Sequence, residues 1–242
     1  MIINPDRFGA ADPTGFGNAS RDFDGSTDFI DIADSEDMSF GDESIDSPFS
    51  VAAWVKLSDV TTSGILAKGS LAAREWLFGI DGADRLTITC HDDNVANKIN
   101  IASNTTMTSN QNIWTHVMAT YDGGGAYTGM TLYIDGSSIV ATNGSTGSYT
   151  AMHNQSEGAV IGRIFTDSGN YTTGLMADIR LYDAEMSAAN AASLAAGTDV
   201  TTNLVSHWLG NTDSLDDMVG TNDGTEGSGS TTTFSTDGPL DP

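Results

Sequence analysis

Histidine is the side chain best suited to acid–base chemistry near neutral pH, because its imidazole ordinarily titrates close to pH 6.5. The four histidines of this chain lie far apart in the sequence, at His91, His116, His153 and His207. The chain has no His-Glu-x-x-His spacing for zinc and no Gly-x-Ser-x-Gly turn for a nucleophilic serine. We therefore assign the histidines structural or surface roles. Distant residues can still meet in a fold, but we expect that the protein is not an enzyme.

Aromatic side chains offer a second kind of chemistry, the recognition of sugars. An exposed ring can stack on the apolar face of a sugar while polar neighbours bind its hydroxyls. Four aromatic residues lie among Gly, Ser, Thr and Asn in segments that we expect to be loops: Tyr127, Tyr149, Phe165 and Tyr171. Each ring could instead cover the end of a core, so the sequence leaves both roles open. These four residues are the candidate ligand-binding residues.

The charge of the chain restricts its partners. Asp and Glu outnumber Lys and Arg by 33 to 9, which gives a formal net charge of -24. Phosphate backbones and anionic lipids repel such a molecule, so we expect no direct contact with nucleic acid or membrane. No apolar run approaches the roughly 18 residues of a membrane span, and we find no ordinary secretory signal. The single Cys90 excludes an internal disulfide and is expected to be a buried apolar residue.

Alternating residues predict that strands and hairpins position these side chains. Residues 114–121 alternate strictly, and a second apolar run ends at Asp135-Gly136, a dipeptide favoured in tight hairpin turns. Residues 49–57 alternate in the same way and are predicted to form a central strand. Asp81-Gly82 predicts a second hairpin of the same design. The middle of the chain is therefore predicted to be antiparallel β structure.

Only one segment favours a helix. Residues 186–196 are rich in alanine, with Ser187 available as the N-cap and Gly197 as the C-terminal stop. Elsewhere, short strands at regular intervals with turns between them are typical of sandwiches and jelly rolls. The sequence therefore predicts an all-β fold, a two-sheet antiparallel jelly-roll sandwich with one short helix.

Composition also predicts how the chain is divided. Residues 1–20 contain Pro and Gly breaks and are predicted to form an extended N-terminal arm. Residues 21–220 are predicted to form one sandwich, which includes a strand near 204–209 that folds back onto it. Residues 221–242 are rich in Gly, Ser and Thr and are predicted to be a loop or a loosely attached tail.

Six short motifs follow one another along the chain. They are Phe23-Asp24-Gly25-Ser26-Thr27-Asp28-Phe29-Ile30, Phe49-Ser50-Val51-Ala52-Ala53-Trp54-Val55, Trp114-Thr115-His116-Val117 with Tyr121-Asp122-Gly123, Leu132-Tyr133-Ile134-Asp135-Gly136, Ile161-Gly162-Arg163, and Gly174-Leu175-Met176-Ala177-Asp178-Ile179-Arg180-Leu181-Tyr182. In this order they resemble the laminin-G-like jelly roll of the concanavalin A-like lectin/glucanase superfamily. The resemblance covers roughly residues 21–197. It implies two antiparallel sheets packed face to face, one of them concave.

The resemblance also implies roles for carboxylates. In this superfamily a structural Ca²⁺ often links the first strand to the last, and the matching residues are Asp24 or Asp28 with Asp178. The alternative is that these carboxylates only cap turns. Laminarinase-type glycosidases of the superfamily carry Glu-x-Asp-x-x-Glu on one strand, where the outer carboxylates share a face. This chain lacks that motif, so we expect no hydrolysis of β-glucans.

The opening residues suggest where such a module works. Met-Ile-Ile-Asn-Pro-Asp-Arg-Phe-Gly resembles the short N-terminal arms of some tailed-phage structural proteins. Our leading prediction is a virion surface protein, a capsid decoration or fibre component. Its arm would bind other virion proteins while the sandwich faces outward and binds glycans, with a homotrimer as the suggested assembly. The alternatives are a free or cell-surface carbohydrate-binding module exported by a non-classical route, a structural cement without a ligand, and a glycoside hydrolase.

Overall fold

Strands follow one another through most of the chain. The computed structural model describes residues 19–92, 96–208 and 214–239, so the predicted arm lies outside it except for its last two residues. The described residues form sixteen strands and one α-helix: β1 (Ser20–Asp24), β2 (Ile30–Ile32), β3 (Phe49–Asp59), β4 (Ser63–Gly69), β5 (Arg74–Ile80), β6 (Leu86–His91), β7 (Lys98–Ser103), β8 (Thr115–Tyr121), β9 (Met130–Ile134), β10 (Ser137–Ser138), β11 (Ala141–Asn143), β12 (Ala159–Ile161), β13 (Thr173–Tyr182), α1 (Ala188–Ala195), β14 (Leu204–Trp208), β15 (Gly224–Glu226) and β16 (Thr233–Ser235). Within these ranges no helix is long and apolar enough to cross a membrane.

The strands form two sheets of eight. The order in the first sheet is β10-β9-β8-β3-β13-β1-β16, and β14 also pairs with β13. The order in the second sheet is β11-β7-β6-β5-β4-β12-β2-β15. Every pair of neighbouring strands is antiparallel. The predicted all-β jelly-roll sandwich is confirmed.

The core lies between the sheets because alternation sends one face of each strand inward. On β3, Val51 and Ala53 join an apolar cluster that contains residues of both sheets. Ala52 and, on β8, Met118 belong to a second cluster that includes Leu194 of α1. The helix therefore covers part of the outer face of the first sheet, and the central strands of this sheet are buried on both faces.

The predicted short helix is confirmed, and its cap explains where it begins. Ser187 is the N-cap, and its hydroxyl accepts a hydrogen bond from the backbone N–H of Asn190 at 3.2 Å. The Asn190 side chain accepts in turn from the N–H of Ser187 at 3.0 Å. Gly197 follows the C-cap Ala196 with a φ of 74°, a conformation in which glycine ends helices at little cost.

The predicted hairpin turn between β9 and β10 is confirmed. Asp135 and Gly136 have φ angles of 47° and 74°, and Ile134 pairs with Ser137 on either side of them. Positive φ at both central residues is the requirement of the two-residue turn whose twist matches the flanking strands.

The predicted hairpin at Asp81-Gly82 is confirmed, since Ile80 of β5 pairs with Leu86 of β6, but its predicted two-residue turn is wrong. Residues 81–85 join β5 to β6 as a longer loop, and the positive φ falls on Asp84 at 61° rather than on Gly82. The Asp81 carboxylate accepts hydrogen bonds from the N–H groups of Ala83 at 2.9 Å and Arg85 at 3.0 Å. These hydrogen bonds to the Asp81 carboxylate stabilise the wider loop, so Asp81-Gly82 does not form a tight two-residue turn.

The C-terminal part of the described chain adds strands to both sheets. β14 pairs with the second half of β13, from Ile179 to Tyr182. Residues 221–239, which we expected to be a loop or loose tail, instead contain β15 and β16. β15 pairs with β2, and β16 pairs with β1. These pairings satisfy backbone groups of β1 and β2 that would otherwise lie at open sheet edges.

A buried ion cluster ties four neighbouring segments of the second sheet. Lys68 on β4 is fully buried, and its Nζ lies 2.9 Å from the Glu75 carboxylate on β5 and 2.7 Å from Asp34 beyond β2. The same Nζ donates to the carbonyl oxygen of Glu157, before β12, at 2.8 Å. Burial raises the pKa of Glu75, although Lys68 acts in the opposite direction. Lys68 thus supplies a counter-charge to Glu75 where water does not reach either side chain, while Asp34 is partly exposed.

We expect Lys68→Met to lower the free energy of unfolding by about 3–5 kcal/mol, because it leaves the fully buried Glu75 without a counter-charge. Lys56→Met is the matched control, since Lys56 pairs with Asp237 at 2.5 Å where both side chains remain partly exposed. Its loss should be about 1 kcal/mol or less. Urea unfolding followed by tryptophan fluorescence measures both. Equal losses in the two variants would contradict a structural role of the buried cluster.

Candidate functional site

An open groove lies at one edge of the sandwich, where β9 and β10 of the first sheet face β7 and β11 of the second. At this edge the chain passes from one sheet to the other through Ile139 and Val140, which connect β10 to β11. The groove has a volume of about 320 Å³. It is lined by Ile101, Tyr127, Thr128, Met130, Thr131, Leu132, Ser138, Ile139 and Ala141.

The loop that carries Tyr127 is held by hydrogen bonds at its base. The N–H of Asp122 donates to the carbonyl of Gly129 at 3.0 Å, and the Asp122 carboxylate accepts from Gly124 at 2.7 Å. A Cβ at Gly129 would lie 2.0 Å from that carboxylate, so a larger residue would displace the Asp122 side chain. Tyr127 begins a short 3-10 turn, Tyr127–Gly129, that leads directly into β9.

The lining of the groove combines apolar and hydroxyl groups without any charge. Ile101, Met130 and Leu132 form its aliphatic side, and all three belong to the core and are at most 6% exposed. Thr128, Thr131 and Ser138 also line the groove, and their hydroxyls make no side-chain hydrogen bond within the described part of the chain. Neutral hydroxyls beside an apolar surface suit a ligand that has both kinds of surface, and a sugar ring is one.

Tyr127 is the predicted aromatic residue that stays accessible. Its ring is 39% exposed at the mouth of the groove, and the neighbouring Val140 is 74% exposed. Among the described residues, Phe234 is the other large aromatic side chain with comparable exposure, at 41%. It lies on β16, at the opposite edge of the first sheet. The structure therefore singles out Tyr127 from the four candidates.

The other three predicted aromatic residues have partners within the protein. Phe165 is only 1% exposed and packs against Phe29 and its neighbours, so its assignment as a ligand-binding residue is wrong. Tyr171 is half-buried, with its ring centroid 6.1 Å from that of Phe29. The Tyr149 hydroxyl donates to Asp46 at 2.6 Å, and its ring packs against the core. The four rings do not form one site.

The predicted calcium residues are not brought together. Asp24 lies opposite Thr173 in the pairing of β1 with β13, and Asp178 is five residues further along β13. That offset corresponds to about 17 Å along the strand. The described part of the chain contains no group of three His, Cys, Asp or Glu side chains that could hold a metal ion. The predicted set is therefore not one site, and structural calcium stays a prediction.

Each of the three carboxylates has another role. The Asp24 carboxylate accepts hydrogen bonds from the N–H groups of three following residues, and these bonds hold its pKa well below the usual range. Asp28 accepts from the N–H of Thr231 at 2.9 Å. Asp178 lies 2.8 Å from Arg180 Nε and 2.5 Å from His207 Nε2. For Asp24 this is the turn-capping alternative, whereas the Asp28 bond joins segments 203 residues apart.

The fold and the groove define a class of protein, the jelly-roll sandwich with a groove at one edge. The chain belongs to the Concanavalin A-like lectin/glucanases superfamily, because a laminin G family model with that description matches residues 21–192. The predicted superfamily membership is thus confirmed. No curated protein sequence matches the chain.

Solved structures share the fold at low sequence identity. A candidate carbohydrate-binding protein from Bacteroides ovatus has a TM-score of 0.61 and 17% identity, and the match covers 90% of this chain and 59% of that one. The botulinum neurotoxin serotype C1 binding domain has a TM-score of 0.51 and 16% identity, over 81% of this chain and 50% of that one. A heptameric SAP-like pentraxin from Limulus polyphemus has a TM-score of 0.50 and 15% identity, over 77% and 84%. None of these similarities concerns a phage origin, which stays a prediction.

Two histidines outside the groove are buried in a neutral state. His116, on the outer face of the first sheet, is 1% exposed, and burial lowers its pKa to about 4. Burial likewise lowers the pKa of His91 to about 3, with Arg74 and Lys98 acting in the same direction. A histidine that charges more readily in the unfolded chain destabilises the folded state as the pH falls.

We expect the free energy of unfolding to decrease as the pH falls below 6.5, the range in which His116 gains a proton only when unfolded. Between pH 7 and pH 5, His116 alone should account for about 2 kcal/mol of that loss. His116→Phe keeps the aromatic contact with Trp54 and removes the titrating group. Urea unfolding at both pH values should therefore show a smaller decrease for this variant. The same decrease in both proteins would exclude His116 as a cause.

Proposed function

We propose that this protein is a non-enzymatic carbohydrate-binding module and that the groove beside Tyr127 is its binding site. The observation that carries the proposal is the groove's composition, an exposed tyrosine ring beside aliphatic side chains and the exposed hydroxyl of Thr128. The ring stacks on the apolar face of a sugar, and the Thr128 hydroxyl binds its hydroxyl groups.

Two of the structural relatives support this proposal. The Bacteroides ovatus protein is described as carbohydrate-binding, and the neurotoxin domain is described as a binding domain. The chain spans 59% of the first protein and 50% of the second, so it corresponds to part of each. A module of this kind works outside the cell or on a surface, where glycans are exposed.

The residues of the groove also support a binding role rather than hydrolysis. A retaining glycosidase needs two carboxyl groups about 5–5.5 Å apart, and an inverting one needs them about 6.5–9.5 Å apart. None of the nine residues that line the groove carries a carboxylate. A sugar held there is bound beside hydroxyls and aliphatic side chains without an acid or a base.

A narrower form of the proposal places the module on a virion, as a capsid decoration or fibre component. It is supported by the resemblance of residues 1–9 to arms of tailed-phage proteins and by the acidic composition. In this form the arm binds other virion proteins and the sandwich, as a homotrimer, faces outward. The alternative form is a free or cell-surface adhesion module.

Mass spectrometry of purified phage particles that carry the gene tests the narrower form. We expect the protein at stoichiometric amounts in intact particles, and we expect deletion of residues 1–20 to abolish its incorporation. Particles that lack the protein would exclude the virion assignment and leave carbohydrate binding untouched.

We expect Tyr127→Ala to weaken binding of the best ligand from an oligosaccharide array by about tenfold, or about 1.4 kcal/mol, because the stacking ring is lost. Tyr127→Phe retains the ring and should retain most of the affinity. Phe234→Ala is the matched control, since it removes an equally exposed ring at the opposite edge of the first sheet. Isothermal titration calorimetry measures all three variants. An equal loss in Phe234→Ala would refute the assignment of the site.

A further inference from the structure

We infer that the groove selects uncharged saccharides and discriminates against sugars that carry a carboxylate or a sulfate. This inference rests on the proposed carbohydrate-binding function and adds the chemical class of the ligand. It follows from the positions of the basic side chains. The chain has only nine Lys and Arg residues, so each position can be described in turn.

Recognition of an anionic sugar requires an available cation. Arginine binds carboxylates and similar oxyanions through two parallel hydrogen bonds, and lysine acts as a point charge. Eight of the nine basic residues lie in the described ranges, with Arg7 outside them. None of the eight lines the groove.

Four of these basic residues are buried and engaged inside the protein. Lys68 is held by the ion cluster of the second sheet. Arg180 pairs with Asp178 and Asp199. The guanidinium of Arg163 lies 3.6 Å above the centre of the Phe29 ring. The fourth is Arg21, whose Nη1 donates to the carbonyl of Thr232 at 3.1 Å. Each of these four side chains is at most 6% exposed.

Three of the remaining four are engaged at the surface. Lys56 pairs with Asp237 at 2.5 Å, and Arg85 pairs with Asp81 at 2.7 Å. The guanidinium of Arg74 lies 5.1 Å from the centre of the Phe165 ring.

Lys98, the last of the eight, lies on β7, three residues before the groove residue Ile101. Residues at an odd spacing on a strand point to opposite faces of the sheet. Lys98 therefore faces away from the groove.

The electrostatic field of the whole protein also disfavours an anionic ligand. With a formal net charge of -24, the protein repels an approaching anion over about one Debye length, roughly 8 Å at physiological ionic strength. An anionic sugar in the groove would lose part of its hydration and gain no counter-charge. A neutral sugar is not repelled by the net charge of the protein and needs no counter-charge, because the hydroxyls and the tyrosine ring are uncharged.

Matched pairs of oligosaccharides test the inference directly. The probes are neutral oligosaccharides, lactose among them, each paired with its sialylated, glucuronidated or sulfated counterpart on one array. We expect the bound members to be neutral and every charged counterpart to bind at least tenfold more weakly. Titration calorimetry at 0.15 M salt then gives the affinity ratio for each pair that binds.

A charge placed in the groove tests the cause. Thr128 is exposed and lines the groove, so Thr128→Lys adds a cation at the site. We expect this variant to improve binding of the charged counterpart by about tenfold relative to the neutral sugar. Thr202→Lys adds the same charge at an exposed position before β14, which lies several strands from the groove. The affinity ratio should not change in this control.

The outcomes separate this inference from the proposed function. A charged member that binds as tightly as its neutral counterpart, and loses affinity in Tyr127→Ala, would overturn the inference and leave the proposed function intact. A failure of Thr128→Lys to improve binding of the charged member would overturn the electrostatic cause. If no saccharide on the array binds, the proposed function fails, and the inference fails with it.

Discussion

The pairing of β3 with β13 is the contact on which the rest of the structure depends, because it joins an early part of the chain to a late one. The other edge of β13 binds β1 along its first half and β14 along its second. This change of partner coincides with a bulge, where Asp178 has a φ of 51° and the register with β3 shifts. The Asp178 carboxylate therefore points to Arg180 and His207. The bulged strand β13 therefore pairs with three neighbours, β3, β1 and β14. The groove lies at the β9–β10 edge of the same sheet.

Much of the fold could be predicted from local patterns. Alternation predicted β3 and β8, and Asp135-Gly136 and Ser187 predicted a turn and a helix start, because each depends on neighbouring residues alone. β15 and β16 could not be predicted. They are three residues long, lie in a Gly-, Ser- and Thr-rich segment and owe their positions to β2 and β1, about two hundred residues earlier in the chain. The loop at 81–85 was mispredicted because side-chain bonds from Asp81 outweigh the preference of the dipeptide.

The candidate site was predictable only in part. Loop composition identified Tyr127 together with three other rings, but it could not tell which ring stays exposed. Tyr149, for example, is bound by Asp46, 103 residues away in sequence. The remaining groove residues gave no separate signal, since Ile101 and Met130 fit the strand pattern of any core position. Their exposure to a groove depends on the strand order, which places β7 and β9 at the same edge of the sandwich.

Apart from β14, which pairs only with β13, the outermost strands of both sheets are very short. β10 has two residues, and β11, β15 and β16 have three each. An edge strand offers unpaired backbone groups to other chains, so these edges give a second copy little to pair with, and the high negative charge adds repulsion. Copies of the protein that meet at these edges can therefore form few backbone hydrogen bonds with one another, and this opposes the merging of their sheets into a fibre.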